Sequence, residues 1–300
     1  MMQDVDLAPG VGYIDGQYLP RAGIALPTTD VGFKLCDMCY DAIHVWRGRF
    51  FRLEDHLDRF ARSIAKRRFN FPFSRDEVRA ILTECVRRSG LRDSMTMLIA
   101  TRGDMLGPGF DLRRCTSRYI AWADPYYAVI SEAQAREGVP VAISRVPRVP
   151  PDSVDPTVKN FARIDFADAL YDAYEQGCEH ALLLDREGNV TEGRGWNVFA
   201  VFGGTVVTPD SGVLEGITRK TVLELCARGN LEPRVAVLPG GDIARADEVF
   251  MASTAGGLMP VSRIDGTPIG SGAPGPVTRR LTDLYWELHE DPAYTTEVVY

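Results

Sequence analysis

Val154-Asp155-Pro156-Thr157-Val158-Lys159-Asn160 closes a proline-broken loop, VPRVPPDSVDPTVKN, that runs from Val146 to Asn160. Its lysine is one of only four in the chain, with Lys34, Lys66 and Lys220, while the other 30 of the 34 basic residues are arginines. An ammonium can shed its proton when desolvated and attack a carbonyl, whereas a guanidinium stays charged. A lysine kept in such a background points to amine chemistry. A base composition that favours arginine would give the same scarcity, so the weight falls on the residues downstream.

Outward from this loop the chain is ordinary in bulk. Its 300 residues are 45% hydrophobic and 25% charged, as expected of a globular protein large enough for one large or two medium cores. A net charge of −7 argues against nucleic acid or an anionic membrane surface as partner. No apolar run reaches the roughly 18 residues of a membrane span, and MMQDVDLAPGVGY lacks the basic and apolar regions of a secretory leader, so a cytoplasmic location is expected. Cys36 and Cys39 have the spacing of a redox or zinc motif, but no second pair completes it, and the two read as thiols on or near one strand. The histidines at 44, 56, 180 and 289 are too dispersed in sequence for a metal site, so none is expected.

The pattern of elements predicts α+β architecture. Asp15-Gly16 reads as a turn between short strands, and the alternating stretch Tyr40 to Trp46 turns at Arg47-Gly48. Leu57, Phe60 and Ile64 share one helical face over 54–68, and Ser74-Arg75-Asp76-Glu77 reads as a capping box opening a second helix. Further strands are expected at 95–101, 117–123, 139–146, 181–184, 196–201, 205–208, 234–238, 247–252 and 259–264. Helices are expected at 162–176, 217–228 and 275–289. Strands outnumber helices and mix hairpins with crossovers, which favours α+β over a doubly wound sheet. The expected organisation is a domain over 1–122, a linker over 123–137 and a second domain over 138–300.

Four further features could hold an anionic, aromatic cofactor around Lys159. Asn189-Val190-Thr191-Glu192-Gly193-Arg194-Gly195-Trp196-Asn197 places a carboxylate between a tight turn and glycines. Gly212-Val213-Leu214-Glu215-Gly216-Ile217-Thr218-Arg219 has a glycine just before a helix, where free N–H groups suit a phosphate. Ser253-Thr254-Ala255-Gly256-Gly257 offers hydroxyls beside flexible backbone, and Arg59 is a candidate phosphate partner. Each alone is more often a surface turn, a helix cap or a loop. Together, in this order and spacing, they resemble the class IV pyridoxal-phosphate aminotransferases, over nearly the whole chain from Tyr13 to the last helix.

That resemblance implies fold type IV, a small N-terminal α/β domain and a larger C-terminal barrel-like domain with the active site between them, and a homodimer. It implies pyridoxal 5′-phosphate as cofactor. Lys159 looks like the lysine that bonds the cofactor and carries the proton, and Glu192 like the carboxylate facing the pyridine nitrogen. Arg59, the backbone of Ile217 and Thr218, and Thr254 would hold the phosphate, and Leu214 would pack on the ring. Trp196, Asn197, Gly216 and Ser253 complete the expected cofactor-binding set. For the substrate, Tyr40, Met95, Met97, Thr254 and Ala255 are expected walls, although the apolar ones serve equally as core. Arg163 is either a helix-face arginine paired with Asp165 or solvent, or a carboxylate binder, as Arg113 or Arg114 could also be.

L-branched-chain members of the family carry an arginine where this chain has Met97, and the Arg-x-His clamp of the D-amino acid members is missing after Thr101-Arg102-Gly103. The local wording is most similar to that of the (R)-amine members. The expected activity is therefore transfer of an amino group from an (R)-amine or D-amino acid to a keto acid such as pyruvate, by a ping-pong mechanism. The alternatives are a branched-chain L-amino acid aminotransferase or a lyase similar to aminodeoxychorismate lyase.

Overall fold

The computed structural model describes residues 9–300. In chain order the strands are β1 (Val11–Ile14), β2 (Gln17–Pro20), β3 (Met38–Trp46), β4 (Arg49–Phe51), β5 (Ser94–Met105), β6 (Cys115–Pro125), β7 (Val139–Ile143), β8 (His180–Leu184) and β9 (Val190–Gly193). There follow β10 (Trp196–Phe202), β11 (Thr205–Thr208), β12 (Glu232–Val235), β13 (Glu248–Ser253), β14 (Gly257–Ile264), β15 (Thr267–Pro268) and β16 (Thr295–Glu297). The helices are α1 (Val31–Leu35), α2 (Leu53–Lys66), α3 (Arg75–Ser89), α4 (Glu132–Glu137), α5 (Ile164–Glu175), α6 (Ile217–Arg228), α7 (Gly240–Ile243) and α8 (Pro276–Glu287).

These elements form two units, and the division differs from the expected contiguous one. The first unit takes the chain up to Tyr127, together with Val158–Ala162 and His289–Tyr300, and the second holds Ala128–Thr157 and Arg163–Leu288. Backbone pairing explains why distant segments join the first unit. β16 pairs antiparallel with β4, and Asn160 bridges to Cys39. Within the span expected as a linker, β6 runs on to Pro125 and α4 is a capped helix, Ser131 and Gln134 closing its capping box.

In the first unit seven strands lie in the order β16-β4-β3-β5-β6-β1-β2, with every neighbouring pair antiparallel. The alternation seen from Tyr40 to Trp46 gives the sheet two unlike faces. One carries Cys39, Ile43 and Val45 and packs against Leu57 and Phe60 of α2 and Val78, Leu82 and Val86 of α3. The other gathers Ile14, Tyr40, Ile99 and Ile120, with Met97, Trp122 and Phe161 beside them. α3 starts at the expected capping box, Ser74 and Glu77 each bonding the other's backbone.

The second unit contains a closed ring. β10, β13 and β14 pair antiparallel, β14, β7 and β8 pair parallel, and β9 joins β8 back to β10. Six strands so closed leave no free edge, which defines a barrel. Val141, Trp196, Val198, Met251, Met259 and Val261 belong to its apolar core. α5 lays Phe166, Ala169 and Ala173 on a separate cluster with Ala142, Ala181 and Leu183. Glu248 ties the start of α8 to the ring, accepting from the backbone N–H groups of Val277 (2.9 Å) and Thr278 (2.7 Å). The α+β class, with a sheet unit and a larger barrel unit, is the architecture expected from the sequence.

Candidate active site

The Val158–Ala162 segment is laid along the first unit's sheet. Tyr40 N–H donates to the Lys159 carbonyl (2.9 Å), and Phe161 N–H donates to the Met38 carbonyl (3.3 Å). Lys159 N–H donates in turn to Ser63 Oγ of α2 (3.4 Å). With its backbone fixed from both sides, the lysine holds its Nζ 4.7 Å from the centre of the Tyr40 ring. The Phe161 ring lies 4.6 Å from that same ring, so the amine rests on an aromatic platform.

Arg59, on the buried face of α2, does not project alone. Its Nε donates to Asp41 Oδ2 (2.8 Å) and its Nη2 to Asp41 Oδ1 (2.7 Å), a bidentate pair in which the two side chains are 3% and 0% exposed. His56 Nδ1 lies 2.7 Å from Asp41 Oδ1. Burial alone would raise the Asp41 pKa, but Arg59 and His56 outweigh it and hold the carboxyl well below its ordinary range. His56 is pushed the other way by burial, so its neutral form is favoured despite the adjacent carboxylate. From its place in a helical stretch, His56 reads only as structural or solvated; the structure makes it part of the arginine's support.

In the second unit Glu192 lies in β9 with both oxygens engaged. Oε2 accepts from the Leu214 N–H (2.9 Å) and from Asn197 Nδ2 (3.3 Å), and Oε1 accepts from Arg148 Nη2 (3.3 Å). Arg148 is itself held by Asp165, Nη1 to Oδ2 at 2.5 Å, and its guanidinium sits over the Phe166 ring at 4.3 Å. Asp165 accepts hydrogen bonds from Arg148 and from the Val149 N–H, and its charge also acts on Arg163. Arg163 stands at the start of α5 with its guanidinium 4.9 Å from the same Phe166 ring, and burial lowers its pKa.

α6 begins where expected, after Gly216, and no side chain caps it. Its first-turn N–H groups are therefore open to another acceptor. Gly216 is there for close approach: a Cβ at this position would collide with Asn197 Oδ1. Asn197 in turn donates to the Leu214 carbonyl (2.9 Å), so Glu192, Asn197, Leu214 and the helix start form one connected group. Ile217 and Thr218 are buried in this turn. An anchored carboxylate and an uncapped helix start suit the protonated pyridine nitrogen and the phosphate of pyridoxal phosphate, so the residues present fit that group.

The remaining candidates divide. Ser253 Oγ donates to the Gly195 carbonyl (2.8 Å) and accepts from the Ala255 N–H (3.3 Å), which shapes the loop carrying Thr254. Trp196 lies in the barrel core, where its ring fills the space over Gly193. Met95 is buried, whereas Met97 faces its cross-strand partner Trp122 on the same sheet face as Tyr40. Arg113 is taken up by Asp111, and Arg114 Nη1 donates to the Pro108 carbonyl (2.9 Å). Cys36 is exposed and Cys39 buried, both as free thiols. His44 and His289, remote in sequence, meet with Nε2 atoms 2.7 Å apart. Among the described residues no group of three His, Cys, Asp or Glu could hold a metal ion, and no helix is long and apolar enough to cross a membrane.

Comparison with known proteins agrees with this geometry. The family model for amino-transferase class IV matches residues 38–264. A branched-chain-amino-acid aminotransferase of Pseudomonas aeruginosa is 32% identical over 240 residues, covering 79% of this chain and 78% of the relative. The D-alanine aminotransferase of Bacillus licheniformis is 29% identical over 282 residues, covering 89% and 93%. Among solved structures, the branched-chain amino acid aminotransferase from Thermobaculum terrenum in its PLP-form superposes with a TM-score of 0.88 at 28% identity, covering 98% of this chain and 100% of that one. A family model that spans most of the chain, both units included, places it plainly: the chain belongs to the class IV aminotransferases.

Proposed function

We propose that the chain is a pyridoxal-phosphate aminotransferase that takes an amino group from an (R)-amine or D-amino acid and passes it to a keto acid such as pyruvate. The observation that carries the reading is Lys159, whose amine is seated on the Tyr40 ring by a backbone fixed at both ends. Pyridoxal phosphate, when bound, supplies an electron sink that lets a proton leave the substrate's α carbon. Lys159 Nζ would be the base that takes up that proton and gives it back. Glu192 would face the pyridine nitrogen, with Arg148 and the Leu214 N–H fixing its orientation. The uncapped start of α6 would bind the phosphate, as Arg59 and Thr254 could, and Leu214 would pack on the ring.

The choice of donor rests on β5. Met95 and Met97 occupy its active face, and its one arginine, Arg102, is committed to Asp37 (2.7 Å) and to the carbonyls of Arg67 and Arg68. No cation of this strand is left to receive an α-carboxylate, which favours an amine or an amino acid recognised elsewhere. A second reading, a branched-chain L-amino acid donor, is favoured by the apolar wall of Tyr40, Ile99, Ile120 and Met97 and by the name of the Pseudomonas relative. Single half-reactions separate the two, with (R)- and (S)-1-phenylethylamine, D-alanine and L-leucine added in turn to the cofactor-loaded protein. Fastest loss of the visible band with the (R)-amine or D-alanine supports the first reading, and fastest loss with L-leucine replaces it by the second.

A homodimer belongs to the same proposal. Phe33 (55% exposed) and Leu35 (50%) of α1, with Leu106 (59%) and Phe110 (66%) of the loop after β5, leave large apolar side chains uncovered in the first unit. A mass of twice 33.2 kDa by light scattering is the expected result.

A further inference from the structure

The loop from Val149 to Ser153, the turn between β8 and β9 and the Ser211-Gly212 pair enclose a cavity of about 430 Å³ that lies wholly within the second unit. Small-molecule sites fall in the range of about 300–1,000 Å³. Backbone hydrogen bonds fix its walls. Arg148 N–H donates to the Leu184 carbonyl of β8 (2.8 Å) and Val149 N–H to Asp165 Oδ2 (3.1 Å). Pro150 and Pro151 restrict the loop further, and Ser153 N–H closes it on the Pro150 carbonyl (3.0 Å). Gly212 has φ +70°, and a Cβ there would come within 2.8 Å of Thr191 Cγ2, so the glycine lets the chain close against β9.

Arg148 lines this space with one donor to spare. Its Nη1 donates to Asp165 and its Nη2 to Glu192, but its Nε is buried and has no hydrogen-bond partner among the described residues. The side chain is 7% exposed, so solvent does not serve that N–H. A buried donor left unmet is costly, and a ligand oxygen in the cavity removes that cost. Around the mouth Asp152, Arg186 and Glu187 are exposed, and their side chains make no hydrogen bond or ion pair among the described residues. With the Arg148 charge offset by Asp165 and Glu192, the lining presents Asp152, Asp185 and Glu187 against Arg186. That excess of carboxylates disfavours a plain anion. It suits a ligand that brings an ammonium along with its oxygen acceptor.

We propose that this cavity is a second, non-catalytic site that binds the zwitterion of an α-amino acid and acts on Glu192 through Arg148. The ligand's carboxylate meets Arg148 Nε and Arg186, its ammonium meets Asp152 and Glu187, and its side chain lies along Val149, Pro150 and Pro151. The site goes beyond the aminotransferase reading. It shares Arg148 alone with the group around Glu192, and it does not depend on which donor the enzyme takes. Arg148 is the link, because the guanidinium that receives the ligand on Nε also steadies Glu192 Oε1 from Nη2 (3.3 Å). Occupancy of the cavity therefore changes how that carboxylate is seated, and the coupling runs equally in both directions.

Borohydride reduction of the cofactor-loaded enzyme fixes the cofactor on Lys159 and closes the catalytic route, so a calorimetric titration then reads binding alone. The probe is 2-aminoisobutyrate, which has no hydrogen on its α carbon to give up. Isobutyrate lacks its ammonium and isopropylamine lacks its carboxylate. The zwitterion should bind at least tenfold more tightly than either half-ligand. Arg186→Ala combined with Glu187→Gln should weaken it about tenfold, the worth of two exposed charge contacts. Ser211→Trp, which sets an indole at the mouth, should abolish binding, and Ser153→Trp takes its place if a thermal melt shows the first variant unfolded. Saturation should also move the pH dependence of the reduced cofactor's absorbance, which follows the pyridine nitrogen. Absence of saturable binding, half-ligands that bind as well, or binding untouched by the mouth variants overturns the site. Binding that leaves the absorbance unmoved overturns its action on Glu192. A protein that takes up no cofactor would overturn the aminotransferase reading instead, and the titration of the protein as isolated then decides the site.

Discussion

Asp41 meets Arg59 edge to edge, each carboxylate oxygen accepting one N–H at 2.7–2.8 Å, in a pair that water does not reach. The carboxylate fixes the plane of the guanidinium. Removing it takes two charged hydrogen bonds from a buried guanidinium. Asp41→Ala is expected to cost roughly 3–5 kcal/mol of stability. Denaturant unfolding of the cofactor-free protein measures this, and a loss below about 1 kcal/mol would show that Arg59 finds another partner.

The same cluster sets an acid limit. His56 is held neutral by burial, so the unfolded chain binds a proton that the folded chain refuses as pH falls below the ordinary histidine value of about 6.5. Asp41, depressed by Arg59 and His56, acts in the same direction at lower pH. The stability that both contribute is present near neutrality and is lost on acidification. Melting temperatures across pH 5–8 should fall towards the acid end, and His56→Gln should flatten the limb just below 6.5; equal slopes would remove His56 from the account.

Arg148 touches Glu192 and is braced by Asp165 and the Phe166 ring. Glu192→Gln should slow both half-reactions by at least tenfold, since it replaces a charge-bearing partner worth about 1.5–3 kcal/mol with a neutral amide. Asp165→Asn should move the pH dependence of the bound cofactor's visible spectrum, because it loosens Arg148 and so the seating of Glu192. A spectrum insensitive to that substitution would confine Asp165 to a packing role.

Gly216→Ala drives a methyl group into Asn197 Oδ1, which leaves no room for the Asn197–Leu214 hydrogen bond. The backbone at 216 is ordinary for any residue (φ −63°), so the effect isolates contact from strain. Affinity for pyridoxal phosphate, titrated into the cofactor-free protein, should fall by roughly tenfold or more, on the order of 1.4 kcal/mol. Unchanged affinity would mean that the helix start does not hold the phosphate.

Local signals carried most of the fold. The periodic face of α2, the Ser74–Glu77 box of α3 and the Gly216 start of α6 are decided by near neighbours, and each stands where those residues put it. What could not be read is what distant pairing decides. β16 joins β4 from the far end of the chain, and Asn160 reaches Cys39, so the first unit is discontinuous. The site shows the same split. Of the residues proposed for it, Lys159 and Glu192 stand in segments whose wording singles them out, but their supports do not. In the sequence Asp41 is one residue of an alternating strand and Arg148 one arginine among 30. A buried acid in the apolar strand Tyr40–Trp46 was the one available clue, since a carboxylate there needs a buried cation.

The most direct test of the account is to reduce the cofactor-loaded protein with borohydride and map the phosphopyridoxyl adduct by peptide mass spectrometry. The account predicts a single adduct on the peptide containing Lys159, and neither adduct nor visible band in Lys159→Ala. An adduct on Lys34, Lys66 or Lys220, or a visible band that survives in Lys159→Ala, would contradict it.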